Sequence, residues 1–167
     1  MSSRPYRPLA IANEFILQAD PNGVKHMKLQ KLIYFAYGWW LTRHTHPILT
    51  EAPQIWRHGP VFKGLYLALR HFGCAPIRQI QSDSPFFAAP MVDDADREVK
   101  TLVEWIWRRY GGYSSFTLSG MAHAAGTAWH RMAEESNWSV PRDSIIPDEY
   151  IRAEFHRETE ILGIAHL

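Results

Sequence analysis

Residues 26–43 read HMKLQKLIYFAYGWWLTR and carry the clearest structural signal in the chain. Their apolar side chains recur at spacings of i, i+3, i+4, i+7 and i+11, at Leu29, Leu32, Ile33, Ala36 and Trp40. This period places them along one face of an α-helix. The stretch therefore predicts a long helix, from about His26 to Arg43, whose apolar stripe faces a core.

Helical periodicity also appears on both sides of this segment. It predicts helices over residues 8–19, 60–72, 99–110, 115–121 and 127–132. Pro60 is placed in the first turn of its helix, where its missing N–H is not needed. Pro147 opens a last helix, and Ile151, Phe155 and Leu162 are predicted to face inward from it.

The helical period disappears between residues 46 and 60, where two prolines exclude a long helix. Two short strands, Pro47–Leu49 and Gln54–Trp56, are predicted to pair there, and a third strand is predicted within Ala75–Gln81. The predicted fold class is mainly α (α+β). It is a compact multi-helix domain with a small β-hairpin or short sheet inserted after the second helix.

The chain has 167 residues, of which 46% are apolar, so it is long enough to bury a core as one domain. We expect a single domain over residues 1–167, with its core from about 8 to 160. The lone Cys74 excludes an internal disulfide and a zinc site built from several cysteines.

The sequence indicates no targeting or membrane segment. No apolar run follows the charged N-terminus, as a secretory signal would require. The longest strongly apolar stretch, Leu32–Leu41, is too short to span a bilayer. We therefore expect a cytoplasmic protein that has no membrane partner.

The net charge of +1 conceals an asymmetry. Residues 1–80 carry ten Lys and Arg against three Asp and Glu, whereas residues 81–167 carry eight against fourteen. The halves either form separate faces of opposite charge or interleave, in which case the charges cancel locally. The basic half raises a nucleic-acid hypothesis, with phosphate contacts from Lys25, Lys28, Lys31, Arg43, Arg57, Lys63, Arg70 and Arg78.

Catalytic and metal-binding patterns are weak. Nine histidines include the pair His44 and His46 and the pair His123 and His130, but no HExxH motif or Cys pair accompanies them. No nucleophile elbow, P-loop or dinucleotide-binding glycine motif occurs. We predict no catalytic residue, no metal and no cofactor. A metal-dependent or hydrolytic enzyme is the hypothesis that the histidines alone support.

Two blocks of the sequence match a known pattern. The first is MKLQKLIYFAYGW over residues 27–39, and the second joins PIL over 47–49 to IWRHGPV over 55–61. Both resemble signatures of the Panacea domain (SocA-like antitoxin) family. Tyr37 stands where the family commonly has Gln, and His58 where Tyr is more usual.

A third block extends the resemblance into the second half of the chain. It reads YGGYSS over residues 110–115 and continues to His123 and Trp129. Ala128 stands where the family has Pro. The resemblance covers about residues 8–160.

The resemblance implies a non-enzymatic antitoxin of a bacterial toxin–antitoxin system. Such domains bind a cognate protein toxin, often encoded by the adjacent gene or in a prophage, and block it or deliver it to a protease. The alternative is a DNA-binding transcriptional regulator, possibly of its own operon; no helix-turn-helix supports it, because the β insertion follows the lysine-bearing helix directly. The oligomeric state is left open.

The residues divide into two predicted roles. The family-motif residues are assigned to the structure of the fold: Leu29, Leu32, Tyr34, Trp56, Gly59, Pro60, Tyr66, His123 and Trp129. Exposed aromatic residues and arginines dominate interface energetics, and adjacent residues on a helix cannot both face one core. These arguments give the toxin-binding candidates: Trp39, Trp40, Arg57, His58, Trp105 and Trp107.

Overall fold

The computed structural model describes residues 4–163, and helices make up most of that range. The α-helices along it are α1 (Pro8–Gln18), α2 (His26–Leu41), α3 (Lys63–Leu69), α4 (Arg97–Tyr110), α5 (Ser115–His123), α6 (Ala128–Glu135) and α7 (Asp148–Leu162). The short strands are β1 (Val24–Lys25), β2 (Gln54–Trp56), β3 (Gly59–Val61) and β4 (Pro76–Ile77). The predicted mainly α fold with a small β element after the second helix is confirmed.

Helix α2 is the centre of the fold. It packs against α1, α3, α4, α5 and α7 and against strand β3. All of its residues except Met27 and Lys28 are buried, so its buried surface extends around the whole helix and is not limited to the predicted apolar stripe. The argument that either Trp39 or Trp40 must face outward is therefore wrong, because their side chains are only 2% and 5% exposed.

The hairpin uses a different partner strand from the one predicted. Gln54–Trp56 does form a strand, but it pairs antiparallel with Gly59–Val61, and Ile55 lies opposite Pro60. Gly59 follows the two-residue turn with φ +107°, a conformation that glycine adopts without strain. The predicted strand Pro47–Leu49 is wrong, since there Leu49 makes only an isolated bridge to Tyr6.

Pairing of β3 also moves the start of the next helix. Pro60 lies in the strand rather than in a first helical turn, so α3 begins at Lys63. The third predicted strand shrinks to Pro76–Ile77, which pairs with Val24–Lys25 just before α2. In the last helix Ile151 and Phe155 are buried as predicted, but the inward placement of Leu162 is wrong, because it is 37% exposed.

Side chains cap three of the helices in the second half. Asp96 accepts a hydrogen bond from the Val99 amide at the start of α4. The Ser114 and Thr127 side chains accept in the same way at the starts of α5 and α6. Such caps satisfy backbone donors that a helix leaves unpaired, and they fix where these helices begin.

The basic and acidic halves of the chain interleave. Ion pairs between them join Arg4 to Asp96 and Glu98, Arg7 to Asp83, His44 to Glu98, and Lys63 to Asp143. Much of the charge asymmetry in the sequence is therefore cancelled by local pairing. Within the part of the chain that the structure describes, no helix is both long enough and apolar enough to cross a membrane.

Candidate partner-binding cleft and motif junction

The three sequence blocks meet where α2, the β2–β3 hairpin and the α5–α6 turn contact one another, a region we call the motif junction. Gln30 of α2 pairs with the Phe62 backbone, accepting from its amide at 2.8 Å and donating to its carbonyl at 3.1 Å. The Lys31 ammonium donates to the Pro60 carbonyl at 2.7 Å. Polar side chains of α2 thus bind the backbone after the hairpin turn.

Lys31 is fully buried beside Gly59. A Cβ atom at Gly59 would lie 3.1 Å from the Lys31 Nζ atom, so glycine leaves the room that the ammonium uses. Burial lowers the pKa of Lys31 from 10.5 to about 7, since the charged form loses its hydration.

This buried amine predicts a pH-dependent stability. Between pH 7 and 10.5 the unfolded chain holds the Lys31 proton and the folded chain has released it, so the free energy of unfolding rises with pH. We expect urea unfolding at pH 7, 8 and 9 to show a total gain of about 2 kcal/mol that Lys31→Met lacks. Equal slopes for the two proteins would contradict this assignment.

The third block closes the motif junction from the other side. The Ser119 hydroxyl donates to the His58 carbonyl at 2.5 Å, and the Trp129 indole N–H donates to the Trp56 carbonyl at 2.7 Å. The rings of His123 and Trp129 lie 5.2 Å apart.

The remaining motif residues are also held by their neighbours. Tyr66 packs on Trp56 with ring centroids 4.8 Å apart. Leu29, Leu32 and Tyr34 are completely buried in the core. These contacts support the structural role assigned to the motif residues, which stays a prediction.

A cleft of about 810 Å³ opens elsewhere on the surface, between the C-terminal end of α2 and one face of α4. Trp39, Trp40, Arg43 and His44 line it on the α2 side, and Arg97, Glu98, Thr101, Leu102, Trp105 and Arg108 line it on the α4 side. We call it the Trp–Arg cleft. It brings together three of the six toxin-binding candidates, Trp39, Trp40 and Trp105.

The tryptophans of the cleft are held rigidly. The Trp39 indole N–H donates to the Tyr110 hydroxyl at 3.0 Å, and the Trp40 N–H donates to the His46 carbonyl at 3.0 Å. Trp39 meets Trp105 edge to face at 5.2 Å. With their N–H groups satisfied and only 2% and 5% of their surfaces exposed, Trp39 and Trp40 close the bottom of the cleft, and the partly buried Trp105 offers apolar surface to it.

The rim of the cleft carries an excess of positive charge. Of its described lining residues, Glu98 carries a negative charge, and this carboxylate is bound by Arg4 and His44 at 2.9 Å each. The ion pairs formed within residues 4–163 do not include Arg43, Arg97 or Arg108. Three guanidinium groups therefore stand around an aromatic floor without forming an ion pair within the described chain, although Arg97 attracts the Asp94 carboxylate, which is paired with Lys100.

The other three candidates lie outside this cleft. Trp107 is half-buried on another face of α4, with the Lys28 ammonium 5.4 Å from its ring centre. Lys28 also donates to the Gly111 carbonyl, so both residues help to close the end of α4. Arg57 and His58 are exposed at the hairpin turn.

Sequence reasoning missed two sets of surface residues. The first set is Arg97, Thr101 and Arg108, which by their spacing share one face of α4 with the predicted candidate Trp105, a signal that the sequence contains. The second set is an apolar face at α5, where Phe116 is 89% exposed and Tyr113 and Met121 are exposed beside Gly120. The sequence signal for this face is that residues 110–130 contain no charged residue other than histidine.

The histidine pairs make protein contacts. His44 stacks on Trp40 with ring centroids 3.5 Å apart, and His123 binds the Ser119 carbonyl through Nδ1 at 2.5 Å. His130 pairs with Glu134 at 3.5 Å. Across residues 4–163, no three His, Cys, Asp or Glu side chains are grouped closely enough to hold a metal ion.

Comparisons with known proteins agree with the sequence blocks. The family model described as Antitoxin SocA-like, Panacea domain matches residues 29–130. A curated relative, Antitoxin SocA of Caulobacter vibrioides, is 25% identical over 138 residues, which are 79% of this chain and 72% of the relative. No solved structure matches the chain significantly.

Proposed function

The chain belongs to the SocA-like, Panacea-domain antitoxin family, and from that premise we propose that it is an antitoxin that neutralises a cognate protein toxin by binding it directly. The observation that carries the proposal is the family match over residues 29–130, more than half of the chain. The relative named Antitoxin SocA supports it, since the similarity covers 79% of this chain. Membership of an antitoxin family also favours a non-enzymatic role.

Direct binding has support from the surface of the protein. The Trp–Arg cleft combines tryptophan and arginine, the residue types that carry most binding energy at protein interfaces. The apolar face at α5 exposes Phe116 to solvent without a covering element.

The partner is expected to be the product of the adjacent gene, in a bacterial and often prophage-associated operon, and the encounter is expected in the cytoplasm. Binding then either blocks the toxin or delivers it to a protease. The toxin's half-life in cells separates these routes: delivery shortens it when the antitoxin is present, whereas blocking leaves it unchanged or longer.

Co-expression tests the proposal. Expression of the adjacent gene alone is expected to stop growth, and co-expression of this chain is expected to restore it. A control co-expresses Gly38→Ala, in which the new Cβ atom would overlap the Phe155 ring and destabilise the fold, and it should restore growth less well. A neighbour that is harmless by itself, or growth arrest that the chain does not relieve, would contradict the antitoxin assignment.

The DNA-binding alternative has less support from the side chains that suggested it. Lys31 is buried, Lys28 binds the Gly111 carbonyl, and Lys63 pairs with Asp143 at 3.2 Å. A gel-shift assay with the operon's promoter at low salt tests this alternative. A DNA-binding regulator would shift that DNA and lose affinity steeply as salt is added.

A further inference from the structure

The Trp–Arg cleft, with a volume of about 810 Å³, has room for part of a partner chain. Its two walls come from the end of α2 and from the α4 face that carries Arg97, Trp105 and Arg108. A second hollow continues from it past Trp40, Arg43 and His44 toward Pro47. An extended segment can therefore cross the main cleft and leave through this hollow.

The charge of the cleft specifies the occupant. Arg43, Arg97 and Arg108 face it without ion-pair partners among the described residues, while Glu98 is already bound by Arg4 and His44. Charge complementarity at an interface favours a negatively charged partner. Arginine also binds carboxylates through two parallel hydrogen bonds, which adds geometric selectivity.

The aromatic floor specifies a protein segment rather than a nucleic acid. Base stacking needs exposed aromatic faces, but Trp39 is 2% exposed and the Trp40 ring is already stacked on His44 at 3.5 Å. The partly buried Trp105 instead offers a limited apolar surface, next to Leu102, on which one aliphatic or aromatic side chain can pack.

We propose that the Trp–Arg cleft is the docking site for an acidic segment of the toxin, which inserts one large apolar side chain against Trp105, above the buried Trp39 and Trp40, and pairs its carboxylates with Arg43, Arg97 and Arg108. This inference rests on the proposed antitoxin function and adds to it a surface and the chemistry of the partner. The motif junction keeps the structural role that is predicted for its residues.

Charge reversal in the complex is the first test. Arg43→Glu, Arg97→Glu and Arg108→Glu are each expected to weaken binding of the adjacent gene's product about tenfold, and the triple variant more than a hundredfold. Arg70→Glu and Arg142→Glu are matched controls, because both arginines are exposed and neither lines the cleft. Unchanged thermal unfolding midpoints would show that the cleft variants still fold.

The outcomes distinguish a failure of the proposed docking site from a failure of the proposed antitoxin function. If the wild-type chain does not bind the adjacent product, the proposed function fails and this inference fails with it. If the wild type binds and the three cleft variants bind equally well, the antitoxin assignment stands and the docking site is wrong.

Model peptides test the chemistry without the toxin. The chain has seven tryptophans, and their indole N–H signals can be followed by NMR. The peptide acetyl-Asp-Glu-Phe-Leu-Asp-Glu-amide, at a concentration on the order of 1 mM, is expected to shift the signals of Trp39, Trp40 and Trp105 most.

Two further probes complete the peptide test. Acetyl-Lys-Lys-Phe-Leu-Lys-Lys-amide should leave the three signals in place, and oligo-thymidylate should shift them less than the acidic peptide does. Larger shifts with the basic peptide or the oligonucleotide, or shifts of other tryptophans alone, would overturn the assignment of an acidic protein segment.

Discussion

Gly38→Ala is expected to destabilise the protein by about 3 kcal/mol, although alanine is the better helix former. A Cβ atom at Gly38 would overlap the ring of Phe155, where α2 and α7 touch. Phe155 is held in place by the rings of Tyr34 and Trp39, with centroids 5.8 and 5.5 Å away. The clash therefore cannot be relieved by moving one flexible side chain.

Gly120→Ala is the matched control for this prediction. Gly120 also lies within a helix, but a Cβ atom there would have no neighbour within 4 Å. We expect this variant to gain as much as about 1 kcal/mol from helix propensity alone. Urea unfolding of both variants measures the contrast, and a Gly38→Ala protein as stable as the wild type would show that α2 and α7 do not pack this closely.

Glu154→Ala is expected to cost about 3 kcal/mol, because it leaves two buried donors without an acceptor. The Tyr34 hydroxyl donates to the Glu154 carboxylate at 2.8 Å, and the Ala128 amide donates at 2.9 Å. Both donors are at most 1% exposed, so water cannot replace the lost acceptor. Glu154→Gln keeps an oxygen in place and is expected to cost less than about 1 kcal/mol at pH 4.5, where the wild-type carboxyl of the folded chain is protonated.

The pH dependence of the free energy of unfolding, compared between Glu154→Gln and the wild type, tests the charge on Glu154. Burial raises its pKa from 4.5 to about 7, against the opposing effect of the two hydrogen bonds. Between these values the folded chain keeps a proton that the unfolded chain has released, so this group's contribution to the free energy of unfolding falls as pH rises. The loss is expected to reach about 3 kcal/mol by pH 7.5.

The comparison must be made between Glu154→Gln and the wild type, because His26 acts in the opposite direction. Burial lowers the pKa of His26 to about 4, so its contribution to stability grows as pH rises toward 6.5. This term is shared by both proteins and cancels in the difference. A difference in unfolding free energy that stays constant from pH 4.5 to 7.5 would contradict a protonated Glu154.

The sequence predicted the main helices well because their apolar periods are local. It predicted too little burial for α2, however, because a one-sided stripe does not show what covers the other side. The polar residues there are buried by partners far along the chain, Gln30 by Phe62 and Lys31 by Pro60. Whether a buried polar side chain finds a hydrogen-bond partner depends on the tertiary fold, and the spacing of residues along a helix does not predict it.

The hairpin error has a local cause. Pro60 was interpreted as a first helical residue, but Gly59 before it has φ +107° after the two-residue turn Arg57–His58. A glycine at the end of such a turn, directly before the apolar Pro60 and Val61, is itself consistent with a hairpin. The family resemblance, by contrast, is confirmed by the match over residues 29–130.

The candidate interface was predicted only in part. Trp39, Trp40 and Trp105 were chosen on the expectation of exposure, yet the structure places them in the floor of a cleft. The arginines at its rim come together only through the packing of α2 against α4, which helical spacing does not predict. The other three candidates stay predictions. They lie on surfaces separate from the cleft: Trp107 on another face of α4, and Arg57 and His58 at the hairpin turn.

Isothermal titration of the purified chain with the purified product of the adjacent gene tests whether the two proteins bind each other directly. We expect a stoichiometric complex with a Kd of about 10 nM or tighter, in which the toxin's activity falls in proportion to the antitoxin added. Absence of binding at concentrations on the order of 10 μM, while co-expression still protects the cells, would contradict neutralisation by direct binding.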